Sequence, residues 1–313
     1  MRRIAFSLAT VALAFPFLAI APAQATSSRT WVSGLGTDSG ACTRASPCAT
    51  FQFAHDQTTA GGEINCVDAG NYGPASGQTT ITKSITISCE AGTAGIALTG
   101  GSNNGIVIDA APSDVVTLRG LDIDGRAGGG GVGGIVLRHA IEVHIEKCVI
   151  RNVVGGDGIL ISGQASETMF VFVVNTVISD NSNGFRALST GGFKVVSFKN
   201  VVITGSTNDG VILGATNVFA NVTESIISAN GGSAVRVAFG SSTANIDRTT
   251  MANNGTALNA AASGAIIRTI GNNVFNNTNA VSIAAGATVV TDGQNRSGGN
   301  TNTQAPNASA SLF

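Results

Sequence analysis

Ionisable side chains are densest between positions 119 and 157 of this 313-residue chain, whose overall charged fraction is only 11%. They are Arg119, Asp122, Asp124, Arg126, Arg138, His139, Glu142, His144, Glu146, Lys147, Arg151 and Asp157. Carboxylates can act as general acids or bases, and an arginine beside them can bind an anionic group. The stretch is therefore the first place to look for catalysis, with Asp124, Glu146 and Arg151 as candidate catalytic residues.

A possible metal site lies inside the same stretch, where Glu142, His144 and Glu146 alternate with Val143 and Ile145. Alternate side chains of a β-strand share one face, so the three polar residues are candidate metal ligands. Calcium binds through several oxygen ligands and is possible here, although nothing in the sequence requires a cofactor. A polar strand face in contact with solvent is the other interpretation of the pattern.

Two columns of apolar residues recur along the chain and indicate the element that positions these side chains. The first opens each apolar-x-apolar step after a small residue, at Ile106, Ile135, Ile159, Phe185, Val211, Val235, Leu258 and Val281. The second is Ile123, Ile150, Ile178, Ile203, Ile227, Met251 and Phe275. Both have a period of about 24 residues, which leaves room for three short strands and three bends in each repeat.

This period predicts an all-β fold, a right-handed parallel β-helix whose stacked coils form three short parallel sheets. The predicted divisions are a signal peptide at 1–25, an N-terminal disulfide loop and cap at 26–62, the β-helix at 63–294, and a C-terminal cover or flexible tail at 295–313. Phe51, with Ala54 or Phe53, is expected to cover the first coil, because an open strand edge promotes aggregation.

The repeat also predicts which charged residues stack. Alignment of Ile123 with Ile150 places Asp124 next to Arg151 on the neighbouring coil, and Arg119 next to Glu146. Opposite charges would then meet across one coil step. The alternative to a functional site is a pair of surface salt bridges, each contributing about 0–1 kcal/mol to stability.

A further column follows the first apolar position: Val107, Val136, Leu160, Arg186, Ile212, Arg236, Asn259 and Ser282. If these side chains point outward, one sheet exposes an aliphatic stripe crossed by Arg186 and Arg236. The two arginines would lie two coils, roughly 10 Å, apart. They are candidate binding residues for an acidic polysaccharide or for another subunit, and the alternative is that a loop covers the stripe.

The N-terminus has the features of a secretory signal peptide. Arg2 and Arg3 precede the apolar segment Ile4–Ile20, and Ala23-Gln24-Ala25 is a small-x-small cleavage site. The protein is therefore predicted to be secreted, either extracellular or periplasmic, with no membrane span after signal cleavage. The formal net charge of −1 gives no reason to expect a nucleic-acid partner.

Secretion makes disulfides possible, and the chain contains five cysteines. Four of them, Cys42, Cys48, Cys66 and Cys89, allow three pairings. Cys66 and Cys89 are about one coil apart, which favours a disulfide between them and leaves Cys42 to pair with Cys48. Cys148 falls at an inward position and is predicted to be a buried free thiol.

The segments Trp31-Val32-Ser33-Gly34, Pro47-Cys48-Ala49-Thr50-Phe51, Gly61-Gly62-Glu63-Ile64 and Ile81-Thr82-Lys83-Ser84-Ile85-Thr86-Ile87 resemble the opening of secreted bacterial β-helix repeat proteins of the pectin-lyase-like superfamily. The resemblance implies the fold for nearly the whole mature chain. It implies little about activity, because the superfamily contains lyases, hydrolases, epimerases and adhesins. The motifs of its polygalacturonase-like members are absent, and the nearest fragments are Gly156-Asp157-Gly158 and Asn208-Asp209-Gly210.

Three functions remain open at this point. The favoured hypothesis is a non-catalytic protein that binds a polysaccharide, a cell-surface glycan or another cell-surface partner. The second is a polysaccharide lyase, or less readily a glycoside hydrolase, with a divergent site at the charged stretch. The third is a structural spacer without a ligand.

Overall fold

The computed structural model describes residues 27–75, 77–90, 94–98, 104–127, 132–163, 167–188 and 191–310. The predicted signal peptide at 1–25 lies outside these residues. As predicted, the chain folds as a β-solenoid of three parallel sheets, with coils of about 24 residues. Within each coil the chain passes through sheet 1, then sheet 2, then sheet 3.

The sheets consist of short strands whose neighbours come from successive coils. Among the described residues, sheet 1 contains twelve strands: Ser27–Val32, Thr58–Cys66, Ile85–Ser88, Val115–Arg119, Glu142–Glu146, Met169–Val174, Lys194–Lys199, Val218–Thr223, Thr243–Asp247, Ile266–Ile270, Thr288–Thr291 and Ala308–Ser309. Sheet 2 contains ten in the same ranges: Gly70–Asn71, Ala94–Ala97, Leu121–Asp124, Val149–Arg151, Val177–Ser179, Val202–Thr204, Ile226–Ser228, Thr250–Ala252, Asn273–Phe275 and Arg296–Gly298. The described part of sheet 3 has nine: Thr79–Ile81, Ile106–Asp109, Gly133–His139, Asp157–Ile161, Asn183–Ala187, Val211–Leu213, Ser233–Val237, Thr256–Ala260 and Asn279–Ile283.

Inward side chains stack into apolar ladders and form the core. In sheet 2 the ladder runs from Ile123 through Ile150 to Met251, and all three side chains are buried. The prediction that Phe275 continues this ladder is wrong, because Met251 pairs with Val274. The coil between them is one residue shorter than the preceding ones, so Phe275 instead aligns with Ala252 on the outer face.

Asparagines occupy the bends after the sheet 2 strands and stack inside the solenoid. Asn152, Asn253 and Asn276 adopt left-handed backbone conformations after the sheet 2 strands. Inside the solenoid, the Asn230 side-chain amide donates to Asn254 Oδ1, and the Asn254 amide donates to Asn277 Oδ1. The amide ladder satisfies buried polar groups that the bends bring into the core.

The N-terminal end is closed by the helix Phe51–Gln57, whose first turn is capped by the Thr50 hydroxyl. Phe51 and Ala54 are buried against the core, and Phe53 is partly buried. A strand that the repeat does not reveal, Ser27–Val32, forms the edge of sheet 1. At the other end Arg296–Gly298 and Ala308–Ser309 still pair with the preceding coils, so the sheets extend past both predicted ends of the solenoid.

The predicted disulfides, Cys42–Cys48 and Cys66–Cys89, are both present. Cys148 is a buried free thiol, as expected, and burial raises its pKa to about 11. A thiol in that state is a poor nucleophile at neutral pH. No helix in the described part of the chain has the length and apolar character needed to cross a membrane.

Candidate functional site

The charged stretch folds into a surface patch of paired side chains. Arg119 Nη2 lies 2.6 Å from Glu146 Oε2, where two neighbouring strands of sheet 1 end. On sheet 2, Arg151 Nη2 lies 2.9 Å from Asp122 Oδ2 and 3.5 Å from Asp124 Oδ2. Both predicted stacks, Asp124 with Arg151 and Arg119 with Glu146, are in register. These five residues are called the charged patch below.

Asp124 is held as a carboxylate by its neighbours. Burial alone would raise its pKa, but the backbone N–H of Arg126, the Asn152 amide and the Arg151 charge together lower it. Asn152 Nδ2 donates to Asp124 Oδ1 at 2.9 Å. Asp124 is therefore stabilised in its charged form, as expected for a residue of a surface ion-pair network.

The three candidate catalytic residues do not form one cluster. Asp124 and Arg151 are in contact on sheet 2, whereas Glu146 is paired with Arg119 on sheet 1. Arg151 is 36% exposed, so solvent reaches the pair. The patch therefore offers one arginine between two aspartates, with Glu146 engaged elsewhere.

The candidate metal ligands lie on the outer face of sheet 1, as predicted from their alternation. His144 Nε2 is 2.5 Å from Glu142 Oε1, and the His144 ring stacks on Phe172 with the centroids 5.0 Å apart. Glu146 instead accepts two hydrogen bonds from Arg119. Among the described residues, no group of three or more His, Cys, Asp or Glu side chains could hold a metal ion. Calcium stays a prediction from sequence.

The outward column of sheet 3 is only partly exposed. Val107, Val136 and Leu160 are buried in a cluster of their own, separate from the main core. The expectation of an exposed aliphatic stripe is therefore wrong for these three positions. Further along the column, Arg186 and Arg236 lie on either side of Ile212 and are partly exposed.

Around these arginines the outer surface of sheet 3 forms a polar cavity of about 390 Å³, called the sheet 3 groove below. Its walls come from three successive coils. They are formed by Asn183, Arg186, Thr207, Asn208, Asp209, Ile212, Gly231, Gly232 and Arg236. The sequence-predicted binding residues Arg186 and Arg236 thus share one cavity, two coils apart in register.

Asp157 lies beneath the groove and fixes Arg186. The Asp157 side chain is fully buried, and its Oδ2 accepts a 2.8 Å hydrogen bond from Arg186 Nε. Its Oδ1 accepts from Asn183 Nδ2 at 2.7 Å. Burial raises the pKa of Asp157, and the bonds from Asn183 and Arg186 oppose that rise. Arg186 is consequently held in one orientation by a buried carboxylate.

Arg236 is less completely satisfied. Its Nη1 is 3.6 Å from Asp209 Oδ2, and the Asp209 side chain is only 9% exposed. Asp209 Oδ1 accepts a 2.6 Å hydrogen bond from the Ser233 backbone. Arg236 Nε is buried and has no hydrogen-bond partner in the described ranges. A buried donor without an acceptor costs about 1–3 kcal/mol.

In the sequence, Asp157 and Asp209 stand in two separate short fragments, and nothing beside them indicates a shared site. Each precedes or opens a sheet 3 strand, and Asn183 lies on the coil between them, where its Oδ1 accepts from the Asp209 N–H. The fragments Gly156-Asp157-Gly158 and Asn208-Asp209-Gly210 are two coil lengths apart. That spacing is the sequence signal that predicts both fragments on the same side of the solenoid, two coils apart.

Sequence reasoning also missed a smaller cluster at the bend between sheets 3 and 1. His139 Nδ1 lies 2.7 Å from Glu167 Oε1, and Arg138 lies 3.5 Å from Asp109. Lys194 is almost fully buried nearby and donates to the Glu167 carbonyl. Burial lowers the pKa of Lys194. These contacts tie adjacent coils together at the corner.

No family model matches the chain, and no curated protein matches its sequence. The solved structures that resemble it include two lyases. A pectate lyase, Pel9A, matches with a TM-score of 0.61 and 14% identity over 90% of this chain and 79% of that one. An alginate lyase from Paenibacillus sp. str. FPU-7 matches with a TM-score of 0.61 and 17% identity, over 88% and 98%. These matches establish the right-handed parallel β-helix of the pectin-lyase-like fold.

Proposed function

We propose that this protein is a secreted, non-catalytic polysaccharide-binding protein that holds a glycan in the sheet 3 groove. The observation that carries the proposal is that Arg186 and Arg236, both partly exposed, line one polar cavity of about 390 Å³. A cavity of this size is in the range of ligand sites. Sugar oxygens can accept hydrogen bonds from guanidinium N–H groups.

The hydrogen-bonding groups of the groove are arranged for an extended ligand. Arg186 and Arg236 are two coils apart, roughly 10 Å along the solenoid axis. Thr207 and Asn208 add hydroxyl and amide groups on the coil between them. Because each coil repeats the same strand direction, a chain of sugars lying along the axis would meet polar groups at regular intervals.

Burial of the carboxylates favours binding over hydrolysis. Glycoside hydrolysis needs two carboxyl groups that reach the scissile bond from opposite sides. Asp157 is fully buried and uses both oxygens for Asn183 and Arg186, while Asp209 is almost completely covered. The two carboxylates therefore orient side chains of the groove instead of reaching a substrate.

The nature of the partner and its location have independent support. The two structural neighbours are named for pectate and alginate, both polysaccharides, so a glycan partner suits the fold in general. The two disulfides are consistent with an oxidising compartment, outside the cell or in the periplasm. The sequence predicts an acidic polysaccharide as the ligand because it shows Arg186 and Arg236 without their carboxylate partners.

Native electrophoresis in gels that contain single polysaccharides tests this proposal. We expect one or more polymers to retard the wild-type protein, and Arg236→Ala to abolish the retardation. Arg268→Ala is the matched control, because Arg268 lies on the outer face of sheet 1 and donates to Asn245. Equal retardation of both variants, or no retardation by any polymer, would contradict binding in the groove. The second result would favour a structural spacer.

A lyase is the second candidate, because Arg151 contacts Asp122 and Asp124 on a fold that pectate and alginate lyases share. This activity would release unsaturated sugar ends, which absorb in the ultraviolet. Absorbance should therefore be followed over pectate and alginate, with and without calcium. If unsaturated ends are released and Arg151→Ala abolishes their release, a lyase at the charged patch is supported. If neither polymer releases unsaturated ends, the binding function stands as proposed.

A further inference from the structure

Each arginine that lines the sheet 3 groove is paired with a carboxylate, Asp209 within the lining and the fully buried Asp157 outside it, and this bears on the glycan that the groove would bind. Arg186 is paired with Asp157 and Arg236 with Asp209. The other lining residues are uncharged: Asn183, Thr207, Asn208, Ile212, Gly231 and Gly232. The groove therefore has no excess positive charge, and the net charge of the chain, −1, adds no attractive field for a polyanion.

From this balance we infer that the groove selects uncharged polysaccharides over acidic ones. The inference rests on the proposed function and specifies its ligand. A carboxylate on a sugar at Arg236 would lie close to Asp209, whose Oδ2 is 3.6 Å from Arg236 Nη1. Repulsion between like charges is strong in a partly buried site and counts against the acidic ligand.

The donors and acceptors of the groove lead to the same class of ligand. Asn208 carries an amide donor and an amide acceptor, and Thr207 carries a hydroxyl. Sugar hydroxyls both donate and accept, so they can satisfy all of these groups. An ionised sugar carboxylate only accepts, so at its own position it could not donate to an acceptor of the groove. Uncharged sugars therefore satisfy more of the groove.

Calorimetric titration with laminarin and xylan as uncharged polymers, and polygalacturonate and alginate as acidic ones, tests the selectivity. We expect an uncharged polymer to bind at least about tenfold more tightly, with an affinity that salt does not change. Asp209→Asn keeps an oxygen to accept from Ser233 and removes one negative charge. It should shift the affinity ratio several-fold towards the acidic polymers, and unchanged thermal unfolding would verify its fold.

Asp247→Asn is the matched control, since it removes one negative charge from a surface ion pair on sheet 1, outside the groove and the charged patch, and should leave the ratio unaltered. Tighter binding of acidic polymers, abolished by Arg236→Ala and weakened by salt, would overturn the inference while the proposed function stands. Binding of no polymer, or binding that Arg236→Ala leaves unchanged, would overturn both. An equal ratio for wild type and Asp209→Asn would also contradict the charge argument.

Discussion

The charged patch and the sheet 3 groove contain the same chemical groups, arginines beside aspartates, but bury them to different depths. Asp122 and Asp124 are 28% and 25% exposed, and they share Arg151 at the surface. Asp157 is fully buried and Asp209 is 9% exposed. In the patch, charges neutralise each other in solvent. In the groove, buried carboxylates pair with arginines that line a cavity. The burial of the carboxylates therefore distinguishes a ligand site from a surface ion-pair cluster better than the density of charged residues does.

The largest expected difference between the two regions concerns their buried and exposed aspartates. Asp157→Ala should lower the free energy of unfolding by about 3 kcal/mol, because it leaves Arg186 and Asn183 without their shared acceptor. Asp122→Ala should cost at most about 1 kcal/mol, as is typical of surface pairs. Denaturant titrations of both variants measure the difference. Similar losses for the two variants would remove the contrast between the regions.

Within the groove, the two arginines should separate stability from binding. Arg186→Ala removes the cation from a fully buried carboxylate and should cost about 2 kcal/mol in the free energy of unfolding. Arg236→Ala removes a group whose Nε has no acceptor in the described structure, so it should cost less than about 1 kcal/mol. Both should weaken glycan binding. If Arg236→Ala proved the more destabilising of the two, the proposed division of stability and binding between the arginines would be wrong.

A smaller effect is expected from pH at the charged patch. The pKa of Asp124 is lowered in the folded protein, so its charged form stabilises the fold above its ordinary value of 3.8. This contribution is lost as the pH falls through the lowered pKa. Asp124→Asn should therefore be less stable than wild type by up to about 1 kcal/mol at pH 7, and equally stable in strong acid. Unfolding midpoints measured across this pH range test it, and a constant difference would refute it.

The smallest effect should come from Arg119. Its guanidinium and Glu146 are 48% and 26% exposed, so Arg119→Ala should cost about 0.5 kcal/mol or less. High salt should abolish that difference because it screens exposed charges. Thermal unfolding at low and high salt measures it. A loss that salt does not reduce would mean that the patch is more than a set of surface pairs.

The period of the repeat made the fold and several contacts predictable. Once one coil length is known, residues at that spacing must lie in register. This is why the Cys66–Cys89 disulfide and the stacking of Arg119 on Glu146 follow from the sequence. The same reasoning fails where a coil changes length, as at Phe275. It fails too for Ser27–Val32, which precedes the repeat and is separated from its partner strand by a loop and the cap helix.

The groove could be predicted only in part, because its key contact is diagonal. In register, Arg186 aligns with Leu160, and Asp157 aligns with Asn183. The long Arg186 side chain nevertheless reaches back along the strand to Asp157. The repeat period identifies residues that are paired in register on neighbouring coils. A contact between residues that are out of register depends instead on side-chain length and direction. The depth of Asp157 and the unsatisfied Nε of Arg236 likewise emerge only from packing.

Hydrogen–deuterium exchange with and without a retained polysaccharide tests the central claim most directly, because it compares the two regions in a single experiment. Binding in the groove should slow exchange of backbone amides in 207–212 and 231–236, which line it. Amides in 119–126 and 146–151 should exchange at unchanged rates. Protection confined to the charged patch, with none in the groove, would contradict the account.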